Sequence, residues 1–168
     1  MLHRFKGKSP HRDGNWPYGN VIFDSSGNLY GTTVGGGNPN HCLPHYGCGT
    51  VFELTLSADG SWKEKVLHRF LGGMDGSVPY AGLIFDPAGN LYGTTSAGGN
   101  LLGDGGGIVF KLTQNPDGTW KEKILHRFTK SGDNPVFGVT LDAAGNLYGT
   151  TREAEGGPNP GSVFEITP

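Results

Sequence analysis

Short runs in which β-branched, aliphatic and aromatic residues alternate with polar ones fill the chain, each closed within four to nine residues by glycine, proline, asparagine or aspartate. That is the patterning of strands and turns. Between residues 83 and 128 the runs are Leu83 to Asp86, Asn90 to Thr95, Ile108 to Thr113 and Trp120 to Phe128, predicting four strands. Asp86-Pro87-Ala88-Gly89-Asn90 joins the first two, with proline where a type I turn needs a fixed φ and glycine where the chain needs φ > 0. Asn115-Pro116-Asp117-Gly118 joins the last two in the same way. Apolar residues at 3.6-residue spacing between caps are absent, so almost no helix is expected.

The same four runs recur. Leu67-His68-Arg69-Phe70 returns as Leu125-His126-Arg127-Phe128 and as Leu2-His3-Arg4-Phe5. Gly27-Asn28-Leu29-Tyr30-Gly31-Thr32-Thr33 returns from Gly89 and from Gly145, at spacings of 62 and 56 residues. Thr50-Val51-Phe52-Glu53-Leu54-Thr55 has its counterparts at Ile108 to Thr113 and Ser162 to Thr167. Tandem four-stranded units of this length predict an all-β fold, a β-propeller built of four-stranded blades, three to the chain, in preference to a β-helix with its shorter coils. The chain then reads as one repeat domain over residues 1–168, with blade 1 at about 20–70, blade 2 at about 82–128 and blade 3 at about 138–168. The connections between strands 1 and 2 and between strands 3 and 4 are tight. Those between strands 2 and 3, and between strand 4 and the next unit, are long, and both long sets are expected on one face.

The third unit reaches Pro168 before a fourth strand, whereas Leu2 to Phe5 has the sequence of a fourth-strand end. Three blades are too few to close a ring without severe strain. The expectation is therefore a homodimer of two three-bladed halves, closed as a six-bladed ring, in which Leu2 to Phe5 of each copy completes blade 3 of the other and covers its open edge. A fragment of a longer array is the competing explanation.

Gly-Asn-Leu-Tyr-Gly-Thr-Thr followed by a Gly-Gly loop, then Gly-Thr-Val-Phe-Glu-Leu-Thr, then a Trp-Lys-Glu-Lys-Val-Leu strand resembles the GloVer tandem-repeat family of bacterial, generally exported proteins. The resemblance covers essentially the whole chain. It implies a secreted or cell-surface propeller-like array and carries no reaction with it, because the family has no catalytic motif to transfer. The Met1-Leu2-His3-Arg4-Phe5 start does not read as a signal peptide.

Composition and charge narrow the function classes. Glycine (31) and proline (11) make up a quarter of the chain, which only the period separates from low complexity. A formal charge of -2 with 13 Lys and Arg argues against a nucleic-acid binder that neutralises phosphates. No apolar run approaches the roughly 18 residues of a membrane helix, so membrane insertion is not expected.

Residues repeated in every unit read first as structure. Asp24, Asp86 and Asp142 are placed to accept hydrogen bonds from turn amides. His3, His68 and His126 occupy matched outer-strand positions and read as structural pairs, with a pH-sensitive switch as the functional alternative. Trp62 and Trp120 read as blade-packing aromatics, with sugar platforms as the functional alternative. Better candidates break the repeat on the long-loop face, because binding sites concentrate on loops held by a rigid scaffold. Trp16, Tyr18, Tyr46, Tyr80 and Phe137 supply planes suited to sugar rings or peptide side chains, and Arg152 an orienting charge. A recognition module for a saccharide or peptide is the leading reading. A hydrolase or lyase acting on a glycoside or ester, with Glu153, Glu155, Asp13 and His11 at the channel mouth, is the second, and a purely structural repeat the third. Cys42 and Cys48 share one glycine-rich loop and read as a disulfide, as metal ligands together with His41 and His45, or as free thiols. No Gly-x-Ser-x-Gly elbow, phosphate loop or dinucleotide fingerprint is present, and no cofactor is expected.

Overall fold

The computed structural model describes residues 1–7, 13–37, 42, 47–101, 105–128, 133–152 and 160–167. Each repeat folds as one antiparallel up-and-down sheet. The first contains β1 (Ile22–Phe23), β2 (Leu29–Thr33), β3 (Thr50–Leu56) and β4 (Trp62–Arg69), in that spatial order. The second contains β5 (Ile84–Phe85), β6 (Leu91–Thr95), β7 (Ile108–Gln114) and β8 (Trp120–Arg127). The third has β9 (Thr140–Leu141), β10 (Leu147–Thr151) and β11 (Ser162–Ile166). A 3₁₀ turn at Gly73–Asp75 is the one helical segment among the described residues.

The turns follow from their aspartates. Asp24 Oδ1 accepts from the backbone N–H of Ser26 (2.8 Å) and Asn28 (2.9 Å), and its Oδ2 from the Asn28 amide and the Tyr30 hydroxyl. Asp86 and Asp142 repeat this arrangement with Asn90 and Tyr92, and with Asn146 and Tyr148. The turn reading of these residues describes their geometry.

Neighbouring sheets pack face to face as propeller-like blades. Phe70, just past β4, stacks edge-on against Phe110 of β7 at 5.2 Å, and Phe128 stacks against Phe164 of β11 at the same distance. Each outer strand thus ends by inserting a ring into the next blade, and aliphatic side chains complete the two inter-blade cores. The glycine of each Leu-Tyr-Gly-Thr-Thr strand gives the following phenylalanine its seat: a Cβ on Gly31 or Gly93 would stand 2.7 or 2.6 Å from the ring of Phe52 or Phe110. Towards the inner strands the backbones meet, so that a Cβ on Gly19 would lie 2.5 Å from the Gly82 nitrogen. Thr32 Oγ1 donates to the Ala81 carbonyl (2.7 Å) and Thr94 Oγ1 to the Phe137 carbonyl (3.0 Å), joining blade 1 to blade 2 and blade 2 to blade 3.

Residues 1–7 form no strand within the single chain. Phe5 instead lies 5.0 Å from Phe52, edge-on, as Phe70 lies against Phe110. The segment therefore occupies, against blade 1, the place that the end of a preceding outer strand occupies against blades 2 and 3. The two ends of the array are open in complementary ways. Phe23 is 66% exposed, whereas its counterpart Phe85 packs on Tyr30 of the preceding blade. At the other end Val163 is 79% exposed, whereas the matching Val51 and Val109 are fully buried.

Candidate functional site

The connections preceding each blade and those between its second and third strands meet on one face, as the loop lengths predict. Isolated antiparallel bridges pair Asn15 with Gly35, Ser77 with Ala97, and Asn134 with Arg152. Trp16 and Val78, each one residue before a proline, adopt positive φ of 59° and 60°. A β-branched residue holds that conformation only when its surroundings impose it. Here the Val78 N–H donates to the Cys48 carbonyl (2.9 Å) and its own carbonyl accepts from Ser96 (3.1 Å), while the Trp16 carbonyl accepts from Val34 (3.0 Å).

That pinned backbone displays the aromatic candidates. Tyr18 is 68% exposed and its ring centroid lies 5.7 Å from that of the exposed Tyr80, at a tilt of 55°. The two tyrosines are matched in the repeat, each following its proline, so adjacent blades bring them side by side. Phe137 and Arg152, both exposed, belong to the entry and bridge of blade 3. Tyr46, Glu153, Glu155, His11, His41 and His45 lie outside the described residues.

Asp13 is buried and works as a clamp. Its carboxylate accepts from the backbone N–H of Lys6 (3.0 Å), Gly7 (2.9 Å) and Gly14 (3.0 Å). Burial pushes its pKa up, but these N–H donors outweigh burial and hold it below the usual carboxylate range. At neutral pH it is ionised and has no proton to give. Cys42 and Cys48 form a disulfide, so their sulfurs offer no thiolate to a metal, and Cys48 sits buried where the first blade's loop touches Val78. A disulfide fits an oxidising compartment. No helix among the described residues is long and apolar enough to cross a membrane.

A second group of ionisable side chains lies between blades, and its carboxylates escaped the sequence reading. His68 of β4, Asp75 of the 3₁₀ turn and Glu122 of β8 converge, with His68 Nε2 3.5 Å from Asp75 Oδ2 and 3.7 Å from Glu122 Oε1. Burial raises the Glu122 pKa to about 9, the Asp75 carboxylate adding to burial and Arg127 opposing it. Burial raises the Asp75 pKa, but the neighbouring His68 and Glu122 side chains and the hydrogen bond from the Leu71 N–H outweigh it and hold it below the ordinary value. His3, Asp13 and Glu64 repeat the arrangement before blade 1: His3 Nε2 lies 3.9 Å from Asp13 Oδ2, and burial together with the Asp13 charge raises Glu64 to about 7. A readable signal existed, since Glu64 and Glu122 alternate in phase with Trp62, Val66, Trp120 and Ile124, the inward side of strands whose lysines face out.

Two similarities to known proteins bear on this architecture. Strictosidine synthase-like protein 12 of Arabidopsis thaliana is 32% identical over 98 residues, covering 57% of this chain and 29% of that protein. The chain therefore matches under a third of that relative's length. The Gloeobacter/Verrucomicrobia repeat matches the whole of residues 1–168. Three copies of one unit, each folded as a propeller-like blade and spanned end to end by that match, place the chain in the Gloeobacter/Verrucomicrobia repeat family.

Proposed function

We propose that the protein is a non-catalytic recognition module, secreted or displayed at the cell surface, that binds a saccharide or peptide on its long-loop face. The observation that carries this reading is the exposed Tyr18 and Tyr80 pair, set 5.7 Å apart on backbone that inter-loop bridges hold in place. Two rings in tilted contact present a joined aromatic surface on which a sugar ring or a flat side chain can stack, with Trp16, Phe137 and Arg152 on the same face. Rigid aromatic planes lose little conformational entropy on binding.

The ring that presents this face is completed, in this reading, by a second copy of the chain. The internal interfaces define what each open end accepts: Val163 and Thr150 of blade 3 await the partners that Val51, Val109, Thr32 and Thr94 already have. A groove of about 320 Å³ along β9, β10 and β11, lined by Val139, Tyr148, Thr150 and Val163, lies where the entry to a following blade would sit. Exposed Phe23 and Val21 form the matching surface on blade 1. Leu2 to Phe5, already seated against Phe52, would then pair along β11 of the partner copy.

An enzyme is the second reading, favoured by the similarity to a protein named as strictosidine synthase-like. Glu153, Glu155 and His11 would be its candidates, Asp13 being engaged by the Lys6, Gly7 and Gly14 N–H groups. A glycan and peptide array probed with wild-type protein and with Tyr18→Ala/Tyr80→Ala separates the readings. The binding module is expected to retain a ligand unchanged and to lose affinity about tenfold or more in the double variant, roughly 1.4 kcal/mol. Ligands converted on the array would favour the enzyme, and binding indifferent to both tyrosines would remove the proposed site.

A further inference from the structure

We propose that His68, Asp75 and Glu122 form a Zn²⁺ site that ties the first blade to the second. The three side chains come from separate elements: His68 from the outer strand of blade 1, Glu122 from the outer strand of blade 2, and Asp75 from the turn that connects the blades. One donor atom of each lies within 4.8 Å of the other two. Zinc holds nitrogen and oxygen ligands at roughly 2.1 Å, and tetrahedral geometry then sets the ligand atoms about 3.4 Å apart. The 3.5 and 3.7 Å separations from His68 Nε2 match that spacing and are long for direct hydrogen bonds.

A second observation is independent of the distances. His68 Nε2 and Glu122 Oε1 are both buried without a hydrogen-bond partner, and they face each other across the cluster. The Glu122 side chain is only 11% exposed. Buried polar atoms are rarely left unpaired, and a shared cation satisfies both at once. The ring of His68 is held edge-on to Phe70 at 4.7 Å, which fixes the direction of its Nε2. A β-bulge at the same place leaves Leu67 outside the ladder, so that Val51 pairs with His68 while Phe52 pairs with Val66, a device that re-aims the residue beside it.

The donor set favours a transition metal over calcium or magnesium. Calcium takes six to eight oxygens and magnesium an octahedron of oxygens, whereas one imidazole nitrogen with two carboxylates suits zinc. The repeat supplies a looser second copy: His3 Nε2 and Glu64 Oε1 are likewise buried and unpartnered, beside Asp13. His126 and Asp133 stand at the matching sequence positions after blade 2.

Chelator-stripped protein, dialysed free of chelator, is titrated with Zn²⁺ by calorimetry, and metal retained after dialysis is counted by mass spectrometry. Wild type is compared with Glu122→Gln and His68→Gln. Glutamine keeps the size of a buried, uncharged glutamic acid, so the metal-free Glu122→Gln protein is expected to melt no lower than wild type. Wild type should retain one zinc per chain more than either variant and gain a zinc-dependent rise in melting temperature that both variants lose. Calcium and magnesium at the same concentration should give no rise. Equal zinc stoichiometry and affinity in all three proteins, or no zinc uptake by wild type at millimolar concentration, would overturn the proposal.

Discussion

A glycine in the middle of a strand normally weakens it, yet each second strand of this protein carries one with a phenylalanine ring resting on it. Gly93 lies under Phe110, a fully buried side chain at the interface of blades 1 and 2, so adding a methyl group overpacks that interface. Gly93→Ala is expected to cost about 1–3 kcal/mol, read from the shift in urea midpoint at unchanged slope. The inward-facing glutamates make stability depend on pH. Glu64 and Glu122 are raised from an ordinary value of 4.5 to about 7 and about 9, so folding holds their protons to higher pH than the unfolded chain does. A group whose folded pKa lies above its unfolded one stabilises fully below the unfolded value and stops doing so as pH rises through the folded value. Chelator-treated protein should therefore lose stability progressively from about pH 5 to about pH 9, and Glu122→Gln should flatten the upper part of that decline. The lowered aspartates, Asp13, Asp24, Asp75 and Asp86, act in the opposite direction and give way only in acid. A midpoint that rose between pH 5 and 9 would contradict the burial assigned to both glutamates.

Strands and turns were legible because the chain repeats them and because each turn announces itself with aspartate and glycine. The predicted strand at Ile108 to Thr113 is β7, which runs one residue further, to Gln114, and Trp120 to Phe128 is β8 without its last residue. Leu83 to Asp86 shrinks to the two residues of β5, since the inner strands approach so closely that Gly82 is pressed against Asn20. The meeting of the long connections on one face followed from their lengths and is carried by the bridges at Asn15, Ser77 and Asn134. The convergence of His68, Asp75 and Glu122 was not legible, because it joins two outer strands through a bulge that no local pattern dictates. A repeated histidine reads as structure until the carboxylate of the next blade is seen beside it. The open edge of β11 belongs to this scale as well. Val163→Lys places a charge where Val51 and Val109 are fully buried in the other blades, so it should abolish self-association while leaving the fold of the single chain intact, judged by an unchanged far-UV spectrum.

The three blades form an array whose two ends carry the two halves of its own internal interface. Such head-to-tail surfaces close into a ring when the rotation per copy allows, and otherwise grow into filaments. Six blades fall within the usual propeller range, which is why two copies rather than a chain of many are expected. Closure would also set two copies of the Tyr18 and Tyr80 pair around one axis, so any ligand with repeated units would gain from engaging both. Solution mass by light scattering after size exclusion tests this most directly. A single species at twice 17.8 kDa is expected, reduced to 17.8 kDa by Val163→Lys. A wild-type chain that elutes as a 17.8 kDa monomer at concentrations of tens of micromolar would contradict it.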